Sequence, residues 1–446
     1  MPVRAIYLLA VSSFLTLFAV HVHADDWPQW RGPARNGVWN ERGIIDRFDG
    51  PQLDLRWRVA ISSGYSGPTV SGGHVYLTDR VTEPAKQERV HCFGWETGSR
   101  IWSYAYDCDY GGLSYKDGPR ASVTVAGQRA YALGAMGHLH CFDAVKGDLV
   151  WARDLNSEYA IRLPTWGIAA APLIEGPLLI VHIGGKEDAC LVAFDRETGK
   201  ERWRALGDRA NYSAPVIIEQ AGKRVLVCWT GDRVVGLDPA RGSLYWEYPF
   251  APKGNPLGIV TPVVDRNRLF LAGFYDGSLL LKLRQDRTAI EKIWQRRGVS
   301  ERSTDALHSL IPDPLFVGDH IYGVDSYGEL RCLDAKTGDR IWESADAVPQ
   351  ARWATAHLVR NGQHVWIFND QGELIIARLT PKGFDELARA QLIRPTRGQL
   401  SRGDGVCWSH PAFAYKHVFA RNDEELVCAS LAAPRSEASD AGSSRR

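Results

Sequence analysis

Side chains that can stack, carry charge or move protons recur in this chain at one place in a repeated segment. Tyr65, Arg120, Trp166, Tyr212, His308, Trp353 and Trp408 each stand just ahead of a segment related to Ser66-Gly-Pro-Thr-Val70. A second series, later in each segment, holds Lys186, Trp229, Asp232, Tyr275, Asp276, Tyr327, Asn369 and Asp370. Aromatic faces with interspersed polar groups are what a binding mouth requires; the alternative is that each aromatic packs on its own repeat. Catalysis is less legible. GxSxG, HExxH and CxxC are absent, and the 13 histidines are scattered. His74, His91, His138 and His140 fall in strand-like runs, where a hydrogen-bonded structural histidine is expected. Catalytic residues are therefore unassigned, and no metal site is assigned.

The elements that must position these residues follow from a tryptophan series. Cys92-Phe-Gly-Trp-Glu-Thr-Gly-Ser-Arg-Ile-Trp102 aligns with Cys141-Phe-Asp-Ala-Val-Lys-Gly-Asp-Leu-Val-Trp151, and again with segments ending at Trp203, Trp246 and Trp342. A degenerate copy ends at Trp294, and Trp57 precedes the first. Successive gaps of 45, 49, 52, 43, 48 and 48 residues mark a repeat architecture. Each unit opens on a Pro-Val segment, beginning near Ser66, Ala121, Ala170, Ser213, Thr261, Leu310, Thr355 and Ser409. Alternating Val, Leu and Tyr runs bounded by Gly, Asp and Asn read as strands. Four strands per unit, eight times, predict an all-β chain forming an eight-bladed β-propeller of four-stranded antiparallel blades.

The last unit, from about Ser409 to Leu431, lacks a Trp strand, and Leu55-Arg-Trp57-Arg-Val59 supplies one. Ring closure by this N-terminal strand removes a free edge and places the propeller at 55–431. The Trp series reads as structural, each indole wedged between blades with its N–H on backbone. The Asp and Thr-Gly pairs read as turn chemistry.

Ahead of the propeller, Arg4, the apolar run Ala5 to Val20 and Val22-His23-Ala24 read as a signal peptide over 1–24. The run is short for a membrane span, so an exported chain, periplasmic or secreted, is expected. Residues 25–54 form an arm. With Trp27, Trp30, Trp39, Arg31 and Arg35 it has the makeup of a segment crossing the propeller, or of a sugar-stacking or peptide contact. The tail 432–446 is expected to be disordered. Lys+Arg 53 against Asp+Glu 52 argues against nucleic acid as partner. Of eight cysteines, Cys92, Cys141, Cys332 and Cys428 share one repeat position, too far apart for disulfides between neighbouring sheets. Cys108, Cys190, Cys228 and Cys407 have no spacing that selects pairs.

The Phe/Leu-Asp-x-x-Thr-Gly-x-x-x-Trp pattern resembles the PQQ-like repeat of quinoprotein alcohol dehydrogenases and of the propeller subunit of the outer-membrane protein assembly machinery. The opening Trp27-Pro-Gln-Trp-Arg-Gly-Pro-Ala-Arg-Asn-Gly37 resembles exported PQQ-like propellers of planctomycete-type bacteria. The resemblance implies one of two functions. One is a monomeric binding or scaffold module of the cell envelope, engaging an envelope protein, peptide or glycan at its rim. The other is an oxidoreductase binding PQQ with Ca²⁺, with Trp353 or Trp166 stacking on the ring, Arg120 or Lys186 pairing a carboxylate, and Trp408 also at the cofactor. The vicinal disulfide and long insertions usual in such dehydrogenases are absent from this sequence. On the binding reading, Tyr65, Tyr212, Tyr275, His308 and Tyr327 belong to the rim.

Overall fold

Each repeat folds into one sheet, and eight sheets make the ring. The computed structural model describes residues 26–251 and 256–434, so the expected signal peptide lies outside the described residues, as does the tail beyond residue 434. Blade 1 is built from Thr69–Ser71, His74–Val81, Gln87–Gly94 and Arg100–Asp107, paired antiparallel in that order from the axis outward. Blades 2 to 7 repeat the plan over 124–154, 173–205, 216–249, 263–296, 315–344 and 356–391. Blade 8 takes three strands from 412–430, and its outer strand is Leu55–Ala60, paired with Glu425–Ser430. Ala432 and Ala433 extend the paired chain past Leu431 by bonding to residues 43 and 44. The single described helix is Leu155–Tyr159, and no helix among the described residues is long and apolar enough to cross a membrane.

Burial follows from face-to-face packing of the sheets. The second and third strands are covered on both sides and read as nearly continuous apolar runs, such as Leu178–His182 and Leu191–Asp195. The outer strands are mostly exposed, and in most of them the tryptophan is the buried residue. Every outer strand carries a register shift just before this position: Cys92 faces Trp102 while Phe93 faces Arg100. The bulge aims the indole inward and pushes the preceding residue out, which explains the exposure of Ile101, Val150, Ile293 and Ile341. In blade 7 the same register puts Ala388 where the others have tryptophan.

All but one of these indoles reach the turn of the next blade. The Nε1–H of Trp57, Trp102, Trp151, Trp203 and Trp294 donates to the carbonyl of Trp95, Ala144, Arg196, Pro239 and Ala335, at 2.8–3.1 Å. Trp342 donates to Thr380 O at 2.8 Å. Blade 5 has no Thr-Gly turn, and Trp246 bonds instead to Gln220 Oε1 of its own blade at 2.8 Å. The turn glycine lies flat on the ring: at Gly147, φ is 77° and a Cβ would come within 2.5 Å of Trp102 Cγ. Asp143 and Asp195 accept backbone N–H groups of the same turns. All eight cysteines are buried and free; burial pushes the Cys92 and Cys141 thiols up to about 12.

Candidate functional site

The arm closes one end of the axial channel. Trp27 pairs with Val70 of blade 1, and Pro28 O accepts from Val125 N of blade 2. Arg35, with no carboxylate partner among the described residues, donates to Ala171 O at 3.2 Å, to Pro172 O, and to Pro215 O at 3.1 Å, joining blades 3 and 4. Trp30 Nε1–H donates to Thr261 Oγ1 of blade 5 at 2.7 Å, and its ring stands edge-on to His410 of blade 8. Arg31 pairs with Asp313 ahead of blade 6 at 3.1 Å, and Trp39 N–H donates to Arg360 O of blade 7. Thirteen residues thus touch every blade. The chain turns tightly to do so: at Gly32, φ is 83°, and a Cβ would lie 2.9 Å from the Trp27 ring.

Above Trp30 the channel becomes a blind well of about 240 Å³. Tyr65, Arg120, Trp166, Tyr212, Trp353 and Trp408 line it, all from loops leading into inner strands, and Tyr275 joins them from a loop between second and third strands. His308 and Tyr327 do not. The His308 ring is buried against the preceding blade, with Nδ1 bonded to Phe274 O at 2.8 Å and Nε2 accepting from Gly298 N–H. Tyr327, like Trp229, Asp232 and Asp370, sits at a loop between second and third strands and stays outside the lining. Trp229 stacks on Phe250, Asp232 pairs with Arg209, and Asp370 pairs with Arg402. Sequence reasoning missed Trp30, Tyr115, Ser122, Leu257, His357 and His410 in the lining. The tryptophan of the arm was the available signal for Trp30; Tyr115 lies in a long loop with no repeat position.

Among the described residues the well carries one charge. Burial raises the Tyr212 phenol to about 12 and holds that of Tyr65 well above the ordinary range, with Asp117 adding to the second effect. Burial pushes the imidazoles of His357 and His410 down to about 4 and about 3. Arg120 remains. Its guanidinium lies 4.9 Å from the Tyr65 ring and donates to the carbonyls of Ser114, Tyr115 and Gly118, with no ion pair to a carboxylate among the described residues.

Two chemistries can be tested against this lining. Ser122 Oγ lies 2.6 Å from His410 Nε2, and His410 Nδ1 bonds to Pro411 O, the layout of a hydroxyl nucleophile with an oriented base. An imidazole held near 3 is a poor acceptor for a serine proton at neutral pH, and Ser122 is 1% exposed. The pair is a latch between blades 2 and 8. Ca²⁺-bound PQQ asks for flat faces, cations for three carboxylates and oxygen ligands for the metal. The indoles supply faces, but among the described residues the lining offers one cation and no Asp, Glu, Asn or Gln. No cluster of three or more His, Cys, Asp or Glu among the described residues could hold a metal. These residues do not fit the group.

A family model described as outer membrane protein assembly factor BamB matches residues 86–344 and 292–440. The protein of that name from Burkholderia pseudomallei is 24% identical over 232 residues, 50% of this chain. The chain spans about half, 54%, of that relative's length. BamB from Moraxella catarrhalis superposes with a TM-score of 0.57 at 15% identity, over 84% of this chain and 99% of its own. The quinohemoprotein alcohol dehydrogenase of Comamonas testosteroni gives 0.64 at 14% identity, over 92% and 81%. At such identities the structural likenesses show a shared fold.

Proposed function

Because this chain belongs to the PQQ-like propeller family described as outer membrane protein assembly factor BamB, we propose that it is a binding module of the cell envelope. Its rim holds a partner over the aromatic well and performs no turnover. One observation carries this reading: among the described residues, the well joins aromatic faces to a single positive charge and contains no carboxylate base. The apolar run from Ala5 to Val20 ahead of the arm supports export to the periplasm or beyond. Family membership supports an envelope protein or peptide as partner over a glycan. The ring, closed by its own N-terminal strand, supports action as a monomer.

The test is site-specific crosslinking in cells. A photoreactive residue at Tyr275, 36% exposed on the rim, is expected to give a discrete adduct. The same residue at Ile341, 43% exposed on an outer strand, is the control. Adducts equal at both sites, or none at Tyr275, would count against the rim. The quinoprotein alternative is tested on purified protein with PQQ and Ca²⁺. Ligand at 100 times Kd stabilises by about 2.7 kcal/mol, so a raised melting temperature with dye reduction by an alcohol would overturn the proposal.

A further inference from the structure

Two aromatic residues of the well sit on backbone that bulky side chains rarely adopt. Tyr115 has φ 54° and Trp353 φ 67°, in the left-handed region where such residues are outliers. Strain of this kind persists where the surroundings enforce it, and it gathers at ligand sites. Trp353 is held by its N–H donating to Ser326 O at 2.7 Å and by the Arg352 guanidinium 4.8 Å from its ring. Tyr115 is held through its carbonyl by Arg120. Trp408, whose ring lies 6.0 Å from that of Tyr115, has a buried Nε1–H with no acceptor among the described residues. A buried donor left unpaired is costly, and an acceptor on an incoming group would relieve it.

Size and charge narrow what that group is. The well, at about 240 Å³, exceeds the ~150 Å³ that takes benzene and falls short of the ~300 Å³ at which drug-sized sites begin. It suits one ring or two fused rings. Arg120 disfavours a cation. A sugar would find no carboxylate or amide side chain among the described residues of the lining for its hydroxyls.

We infer that the well receives one aromatic side chain (Trp, Tyr or Phe) of a partner polypeptide. The ring lies against Trp353 and Tyr115, an acceptor beside it meets the Trp408 N–H, and an acidic neighbour faces Arg120. This rests on the binding-module reading above and specifies its partner.

Fluorescein-labelled Gly/Ser peptides with a central Trp between two Glu residues, titrated against the full chain by anisotropy, test the inference. Replacing the central Trp by Ala is expected to weaken binding at least tenfold, and replacing Glu by Lys severalfold. Trp353→Gly is expected to lose at least tenfold without a lower melting temperature, because glycine accepts φ 67° freely. Trp408→Phe removes the donor alone and is expected to weaken binding severalfold. Equal binding of Trp and Ala peptides overturns the inference. So does Trp353→Gly that melts several degrees lower and binds as before. N-acetyltryptophanamide binding as tightly as the peptide would assign the well to a free small aromatic and overturn the polypeptide occupant. If a rim adduct forms at Tyr275 in cells while no aromatic peptide binds, the well assignment fails and the binding module stands. If neither occurs, both fail.

Discussion

Trp57→Ala tests how the ring is held shut. Trp57 lies on the strand that the N-terminus contributes to blade 8, is 8% exposed, and bonds across the joint to Trp95 O of blade 1. A Cβ on Gly98 would approach its ring to 2.7 Å, so indole and turn are in close contact. Truncating a buried tryptophan costs about 3–5 kcal/mol, against a total stability of about 5–15 kcal/mol. At about 2.1 cal/mol/K per residue, roughly 400 ordered residues carry an unfolding entropy near 0.8 kcal/mol/K. The melting temperature should therefore fall by about 4–6 °C. Trp342→Ala is the internal control. That indole is only half-buried, and blade 7 offers it no Thr-Gly turn. Its removal should cost about half as much and leave the ring closed. Calorimetry gives the melting temperatures, and gel filtration reports association through the edge that Trp57→Ala loosens. A Trp57→Ala protein that melts within 1 °C of wild type, or a larger drop for Trp342→Ala, would refute the reasoning.

Three further outcomes are expected. Arg35→Ala strands the buried carbonyls of Ala171 and Pro215, while Pro172 O keeps the Thr124 hydroxyl as donor, at about 1–3 kcal/mol per unpaired group, and Arg35→Lys should recover little because an ammonium lacks the fork; urea midpoints measure both. Gly147→Ala combines φ 77° with a 2.5 Å approach to Trp102, whereas Gly127→Ala, at φ 62°, meets open space. The second should cost about 1 kcal/mol and the first at least twice that, and equal melting temperatures would sink the wedge. Burial holds the imidazoles of His140, His182 and His357 at about 4 and that of His410 at about 3. Below pH 6.5 the unfolded chain binds protons that the fold refuses, so stability is full above that pH and declines as pH falls toward 4. A melting temperature flat from pH 7 to 4.5 would contradict these assignments.

The repeat and the count of eight were legible from sequence because they are local. Closure by Leu55–Ala60 joins the two ends of the propeller, and it was legible because the repeat shows which strand is missing. Strand alternation, the Thr-Gly turn and the tryptophan spacing each act within a few dozen residues, and a missing strand at one end matched a spare strand at the other. Tertiary structure decided what depends on distance from the axis and on side-chain direction. Ala388 occupies a tryptophan position that only register reveals. Ser122 and His410 meet although 288 residues separate them. Trp30 becomes the floor of the well because the arm crosses all eight blades. His308 precedes its inner strand as Tyr65 and Trp166 precede theirs, yet its ring turns onto the preceding blade to satisfy Phe274 O and Gly298 N–H. Local pattern names the loops of the rim; which side chains converge on the axis is set by how eight separate sheets pack around it.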